Sequence, residues 1–423
     1  MRLNLRIMLK AAALYLVLVI SLIVSVILGS LIYLAFFYRD QDAKFTRKEK
    51  IRQQVEAGFS LVTSRNFPYV PDSTLTNVLQ EGDSVYISKY QWGLYDIAVV
   101  RAHLRQDSLL KNALLGTVAI DSSVLYITDE DRPVSVSGET VIKGVAFLPK
   151  SGIRPSYVDG EYFKGNKDIV EGKSKDSDRQ MQPLNSFRLT YLQALAKRDS
   201  SIETLLPTGI TTRNPFHLKT AKYRLIAGGS QLGDSLLGNI QLVSDTTITI
   251  PASAVLQDIV VVAPCIRIEK GFTGAAQFFA RDSLILEDDV SLQYPSTAAV
   301  IGEEGKNINI RIGNNCKIIG TVLLYEPKRS DMPASVSFGR DCLIQGDLIV
   351  YGLLDYSKGM QVYGRTACYR FLYKSPSSMY ENFLVNIKFD RSKLSPHFLH
   401  SFLMISDPKK QVNKPLKWYA YGG

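Results

Sequence analysis

The sequence predicts a mainly β protein: an N-terminal transmembrane α-helix followed by a right-handed parallel β-helix carrying a small helical insertion. Three observations predict it. Ala11 to Tyr38 contains no charged residue and no proline. A Gly, Cys, Gly, Tyr pattern recurs at a 26-residue interval. Most of the remaining chain consists of short apolar runs separated by Gly-centred turns.

Residues 1–40 read as a basic leader and a transmembrane helix. About 20 apolar residues cross a bilayer core, and the run Ala11–Tyr38 is about 42 Å long at the helical rise. A cleavable signal peptide has a shorter apolar region followed by a small-residue cleavage site; none follows Tyr38. Residues 41–65 continue as a juxtamembrane amphipathic helix, with Phe45, Lys48, Ile51, Val55, Phe59 and Val62 at helical spacing. Pro68 and Pro71 close it.

A leader of Arg2, Arg6 and Lys10, then KAAALYLVLVISLIV, then a polar helix carrying VEAGFSLV, resembles the PilX-type minor pilins and pseudopilins. The resemblance covers about 60 residues and implies a long helix half in the membrane and half packed on a domain. It departs at Tyr15, where a prepilin cleaved ahead of Ala11 would often carry Glu.

The net charge of +10 is concentrated at the two ends. Residues 1–52 hold nine Lys/Arg against three Asp/Glu, and residues 388–417 hold seven against two. The middle is near neutral, which argues against the basic stripe that a nucleic-acid groove needs. The basic ends suit anionic lipid or acidic partners. A naive count of flanking charge puts the C-terminal body in the cytoplasm, but long domains translocate regardless of such charge. The expectation is a single-pass protein of the inner (cytoplasmic) membrane, with its C-terminal domain exported to the periplasm or exterior.

Residues 66–165 read as a β-rich segment and first coils, from SVYISKY and WGLYDIAVVRAHL onward. Residues 166–239 read as an insertion with one helix, NSFRLTYLQALAKRD, and a return to the solenoid. Residues 240–375 carry the repeats. Gly313 and Gly339, Cys316 and Cys342, Gly320 and Gly346, and Tyr325 and Tyr351 are each 26 residues apart, and Cys368 follows Cys342 by the same interval. Cys265 and Ser283 supply earlier copies. Units this short bury their apolar residues only by stacking. The reading is therefore an interior ladder of Cys265, Ser283, Cys316, Cys342 and Cys368, with repeat turns at Gly313, Gly320, Gly339 and Gly346. Free thiols are expected, because in-register parallel side chains do not reach disulfide geometry easily. In repeat rhythm this section resembles bactofilins, which are polymer-forming β-helix proteins, and membrane-anchored β-helix proteins of Bacteroidota. Residues 376–423 read as a C-terminal cap and basic tail.

Chemistry is sparse. Arg281, Asp282, Asp288, Asp289, Arg340 and Asp341 are the acidic and basic candidates for a polysaccharide-active β-helix enzyme, but R-D before Ser283 and Cys342 reads more simply as a turn. His397 and His400, three apart, are two ligands without a third. No CxxC, GxSxG, HExxH or Walker sequence occurs, so neither metal nor cofactor is expected. The sequence points to a non-enzymatic structural or assembly protein in a pilus-like or envelope setting, able to self-associate. Two alternatives stay open: a surface module binding glycan or protein, and a cytoplasmic membrane-tethered scaffold.

Overall fold

A computed structural model describes residues 2–64, 67, 70–76, 84–118, 123–197, 204–206, 211–225, 235–329, 333–375, 378–404 and 412–419. Strands hold 51% of the chain, so the class is mainly β. The chain forms two units: Met1–Ser60 with Thr74–Ile87 and Val100–Leu110, and Leu61–Ser73 with Ser88–Val99 and Lys111–Gly423.

The first unit is built on helix α1 (Arg2–Val62). Its apolar stretch is long enough to cross a membrane and lies exposed from Leu14 to Tyr38. Farther along the same helix Ile51, Val55 and Phe59 are buried, and Arg47 Nε lies 3.2 Å from Asp107 Oδ2. Gly58 allows a close approach there, since a Cβ on it would fall 2.6 Å from Val100 Cγ1. Phe45 belongs to the apolar spacing in the sequence but is 70% exposed. The packed stripe begins at Ile51, one turn and a half later.

In the second unit most strands join one sheet, almost wholly parallel, that closes around an apolar interior. Three ladders face inward. One runs Leu292, Ile318, Ile344, Val362, Phe389, Ile142. The second runs Phe278, Ala298, Val322, Leu348, and the third Ile266, Leu284, Ile310, Val336, Leu354, Phe371. All are buried. Like stacks on like because parallel strands in register place equivalent residues about 4.8 Å apart.

The stack does not follow chain order. Ser123–Ile127 pairs with the strand Gln361–Lys374, placing Tyr126 beside Ala367. Val141–Lys143 pairs with Lys388–Asp390, and Val134–Ser137 with Phe383–Val385. Val170–Glu171 and Ser174–Asp176 stack next. Thr212–Asn214 and Ala221–Leu225 lie at the other end, against Ser235–Gly238 and Ile240–Ser244. Residues 383–390, read in the sequence as part of a cap, are thus interior to the stack. Asn413–Tyr419 pairs instead with Asp107–Thr117 as an antiparallel edge strand.

Helix α2 (Ser186–Ala196) connects the two ends and packs outside the sheet on strands Val255–Ile268, Thr273–Leu286 and Ser291–Ile301. Asn185 caps it by accepting from Arg188 N at 3.2 Å. The Arg188 guanidinium, 1% exposed, pairs with buried Asp96. It also donates to Gly93 O at 3.2 Å and Tyr95 O at 3.0 Å.

Candidate functional site

The register separates the five residues read as one ladder. Cys265 pairs with Ser283, and Ser283 with Asn309. Cys316 and Cys342 occupy a different corner, each just before a paired strand start, Lys317 and Leu343. Cys368 lies in the inward row two residues beyond the second ladder, beside Val350. The reason is the length of each turn. Lys317 to Leu343 spans 26 residues, whereas Leu343 to Gln361 spans 18. A fixed interval counted from Cys342 therefore overshoots, and the residue at the Cys342 position of the next turn is Met360. Likewise Val290, not Ser283, precedes the strand start Ser291 that pairs with Lys317. All four thiols are free. Cys316 Sγ donates to Glu287 O and Cys342 Sγ to Gly313 O, each at 3.1 Å. The neighbouring Cys342 thiol lowers the pKa of Cys316, and the Cys316 thiol together with burial raises that of Cys342.

The four glycines form two pairs. Gly320 and Gly346 are paired, and Gly364 continues them. Their φ angles are +146°, +135° and +157°, and a Cβ on Gly346 would meet Gly320 O at 2.0 Å, so only glycine fits. Gly313 and Gly339 stack in the turn ahead of the cysteines, where a Cβ on Gly339 would fall 2.7 Å from Gly313 C. In the same turns Asp289, Asn315 and Asp341 are left-handed, at φ 61°, 55° and 57°, a conformation Asn and Asp tolerate. Side chains bond from turn to turn: Asn314 N donates to Asp288 Oδ1 at 2.7 Å and Arg340 N to Asn314 Oδ1 at 2.9 Å. Asp288, Asp289, Arg340 and Asp341 are turn residues; Arg281 and Asp282 lie at another corner, ahead of Ser283.

The feature missing from the sequence reading is a second buried face. Residues just after the glycine ladder point outward from the sheet, yet Gln277, Thr297, Thr321, Asp347 and Arg365 are all buried. Trp92 O accepts from Gln277 Nε2 at 3.1 Å, and Leu94 N donates to Gln277 Oε1 at 2.8 Å. Asp347 meets Arg365 Nη2 at 3.2 Å and His400 Nδ1 at 2.9 Å. Two bonds with Thr117 hold His400, whose N donates to Thr117 O at 2.7 Å and whose O accepts from Thr117 N at 2.9 Å. Tyr294 Oη donates to the neighbouring Leu399 O at 3.0 Å.

Burial alone would raise the Asp347 pKa. The charges of His400 and Arg365 and the His400 hydrogen bond outweigh it, holding the carboxyl well below the usual range. Burial also pushes the phenols of Tyr95 and Tyr294 up. An Asp–His pair is an acid–base arrangement in form. Here Asp347 is 1% exposed, His400 5% and Arg365 7%. The cluster clamps the C-terminal segment onto the sheet. His397 and His400 share no helix, since the residues between them are non-helical, and His397 is exposed while His400 is buried. Among the described residues no group of His, Cys, Asp and Glu is placed to hold a metal ion.

The signal for the clamp lay in the strands themselves. Asp347 and Arg365 each follow a ladder glycine inside an otherwise apolar run. Comparison with protein-family models, curated proteins and solved structures finds no match.

Proposed function

We propose that the protein is a non-enzymatic, single-pass structural component of a pilus-like or cell-envelope assembly. In this reading α1 sits in the inner membrane, and the body is a right-handed parallel β-helix exported from the cytoplasm. The observation that carries it is the unbroken helix Arg2–Val62, exposed and apolar in its first half and buried on one face at Ile51, Val55 and Phe59. A long continuous helix of this kind matches the pilin-like layout. Three inward ladders with in-register partners support the β-helix, and parallel crossovers are right-handed in nearly all proteins. The closed Asp347 cluster supports a non-catalytic role.

Self-association through lateral packing is favoured over end-to-end stacking. The end strands Val170–Glu171 and Ser174–Asp176 present Glu171, Lys175 and Asp176 in exposed positions, and charge on an edge disfavours pairing with another copy.

The test is topology in intact cells. A fusion after Gly423 to alkaline phosphatase, active only after export, is expected to be active, and the matching β-galactosidase fusion inactive. The reverse pattern would overturn export and leave a cytoplasmic membrane-tethered scaffold of bactofilin type.

A further inference from the structure

Residues 100–110 of the first unit form a β-hairpin whose direction is fixed against α1 by two contacts. The strand Tyr95–Leu104 turns at Arg105 and Gln106 into the strand Asp107–Thr117. Val100 lies against Gly58, where an added Cβ would fall 2.6 Å from Val100 Cγ1. Asp107 meets Arg47 at 3.2 Å. From Gly58 back to Arg47 the helix covers about 17 Å, and from Val100 to Arg105 the strand covers about the same distance. The hairpin therefore runs alongside α1 toward its apolar half, and the turn at Arg105 and Gln106 points at that segment.

Between the apolar segment and the hairpin, α1 is bare. Arg39 to Thr46 are all exposed, and Arg47 is the first half-buried residue after them. Phe45 stands in this stretch, 70% exposed. Arg47 follows Tyr38 by about 13 Å of helix, and the headgroup layer of a bilayer is about 5–8 Å deep on each side. The apolar run, about 42 Å long, exceeds a hydrocarbon core of about 30 Å and is accommodated by tilt, which lowers the turn further toward the surface. The separation that is left lies within reach of an extended arginine side chain and inside the screening length of about 8 Å at physiological salt.

The charges at this level are unbalanced. Lys44 pairs with Asp40 at 2.7 Å, and Arg47 with Asp107. Arg39, Lys48 and Arg105 are exposed and make no ion pair among the described residues, against Asp42 as the acid in the same condition. An exposed apolar ring beside uncompensated cations fits a segment seated in an anionic interface: lipid phosphate takes the cations, and the acyl boundary takes the ring. A soluble anion would account for the cations and leave Phe45 without an environment.

We infer that the hairpin turn and residues 39–48 of α1 form a lipid-contact surface selective for anionic headgroups, with Arg105, Lys48 and Arg39 on lipid phosphates and Phe45 at the acyl boundary. The inference rests on the reading that α1 spans a membrane. This second foothold holds the first unit at a set height above the bilayer.

The test uses the full chain in vesicles of phosphatidylcholine, with or without phosphatidylglycerol as a third of the lipid. A fluorophore is placed on the turn through Gln106→Cys in a Cys265→Ser background, the other thiols being buried. Its quencher is a nitroxide carried on a phosphatidylcholine headgroup. Quenching is expected to be at least about twofold stronger with phosphatidylglycerol, to fall to the phosphatidylcholine level in Lys48→Gln/Arg105→Gln, and to weaken in high salt. Arg101→Gln removes an exposed cation farther up the strand from the turn and is expected to change the quenching little. Lys48 and Arg105 are exposed, so the double variant should unfold at the wild-type temperature. Equal quenching in the two lipid mixtures, or quenching unchanged in the double variant, would overturn the inference. So would an equal loss in Arg101→Gln, which would indicate a response to net charge only. A second label, through Ser25→Cys with an acyl-chain nitroxide, reports the span itself. Strong quenching there beside an unquenched turn would overturn the lipid-contact surface alone; no quenching there would overturn the membrane anchor with it.

Discussion

The strand Leu343–Tyr356 buries side chains on both of its faces, and at Asp347 the two faces differ in chemistry. Inward, Ile344 and Leu354 stack on aliphatic or aromatic neighbours in the core, and Leu348 and Val350 stack on Val322 and Leu324 on one side. Outward, Asp347 lies between Thr321 and Arg365 and binds His400. The inner face tolerates no charge and gains stability from contact area. The outer face gains position from a few directed bonds, which tie residues 391–404 to the sheet. A covered polar face therefore costs more to damage by truncation than by conservative change, while the inner face is most sensitive to any introduced charge.

The largest effect is expected from Ile344→Asp, which places an unpaired carboxylate in the interior. Loss of the cooperative thermal transition is the expected readout; retained wild-type stability would refute the register. Asp347→Ala should cost about 3–5 kcal/mol, because Arg365 and His400 stay buried without their carboxylate; urea denaturation measures it. Gly346→Ala should cost more than about 1 kcal/mol, since φ is +135° and the new Cβ meets Gly320 O.

The outer face also sets an acid dependence. The folded-state pKa of Asp347 is lowered, so its contribution is complete above the ordinary aspartate range and is lost as pH falls through the folded value. Asp347→Ala should flatten the acid limb of the stability curve and leave the alkaline limb unchanged. The smallest effect is expected from Asp341→Gly. Its φ is 57°, and Gly359 already occupies the equivalent place in the next turn at φ 87°. A change of less than about 1 kcal/mol in either direction is expected.

How much of this was legible in the sequence follows from how local each signal is. The apolar run Ala11–Tyr38 and the pairing of Gly320 with Gly346 depend on residues close in the chain or evenly spaced, and both could be read directly. The α2 segment was legible from its helical periodicity. The 18-residue turn to Met360 was not, because its strand passes Tyr351 and Gly352 without the longer loop of the turn before. Nor was the meeting of Tyr126 with Ala367, or of Asp347 with His400. Such pairings join distant segments and leave no periodic trace. The direction of the hairpin was hidden for the same reason, with Arg47 and Asp107 coming from separate places.

The most direct test of the covered face as a second core is a double-mutant cycle between Asp347 and His400, followed by urea denaturation at neutral pH. Asp347→Ala, His400→Ala and the double variant should show a coupling of about 1–3 kcal/mol, with the second truncation costing little once the first is made. Costs that add to within about 0.5 kcal/mol would show that the two residues do not act together, and the clamp would be wrong.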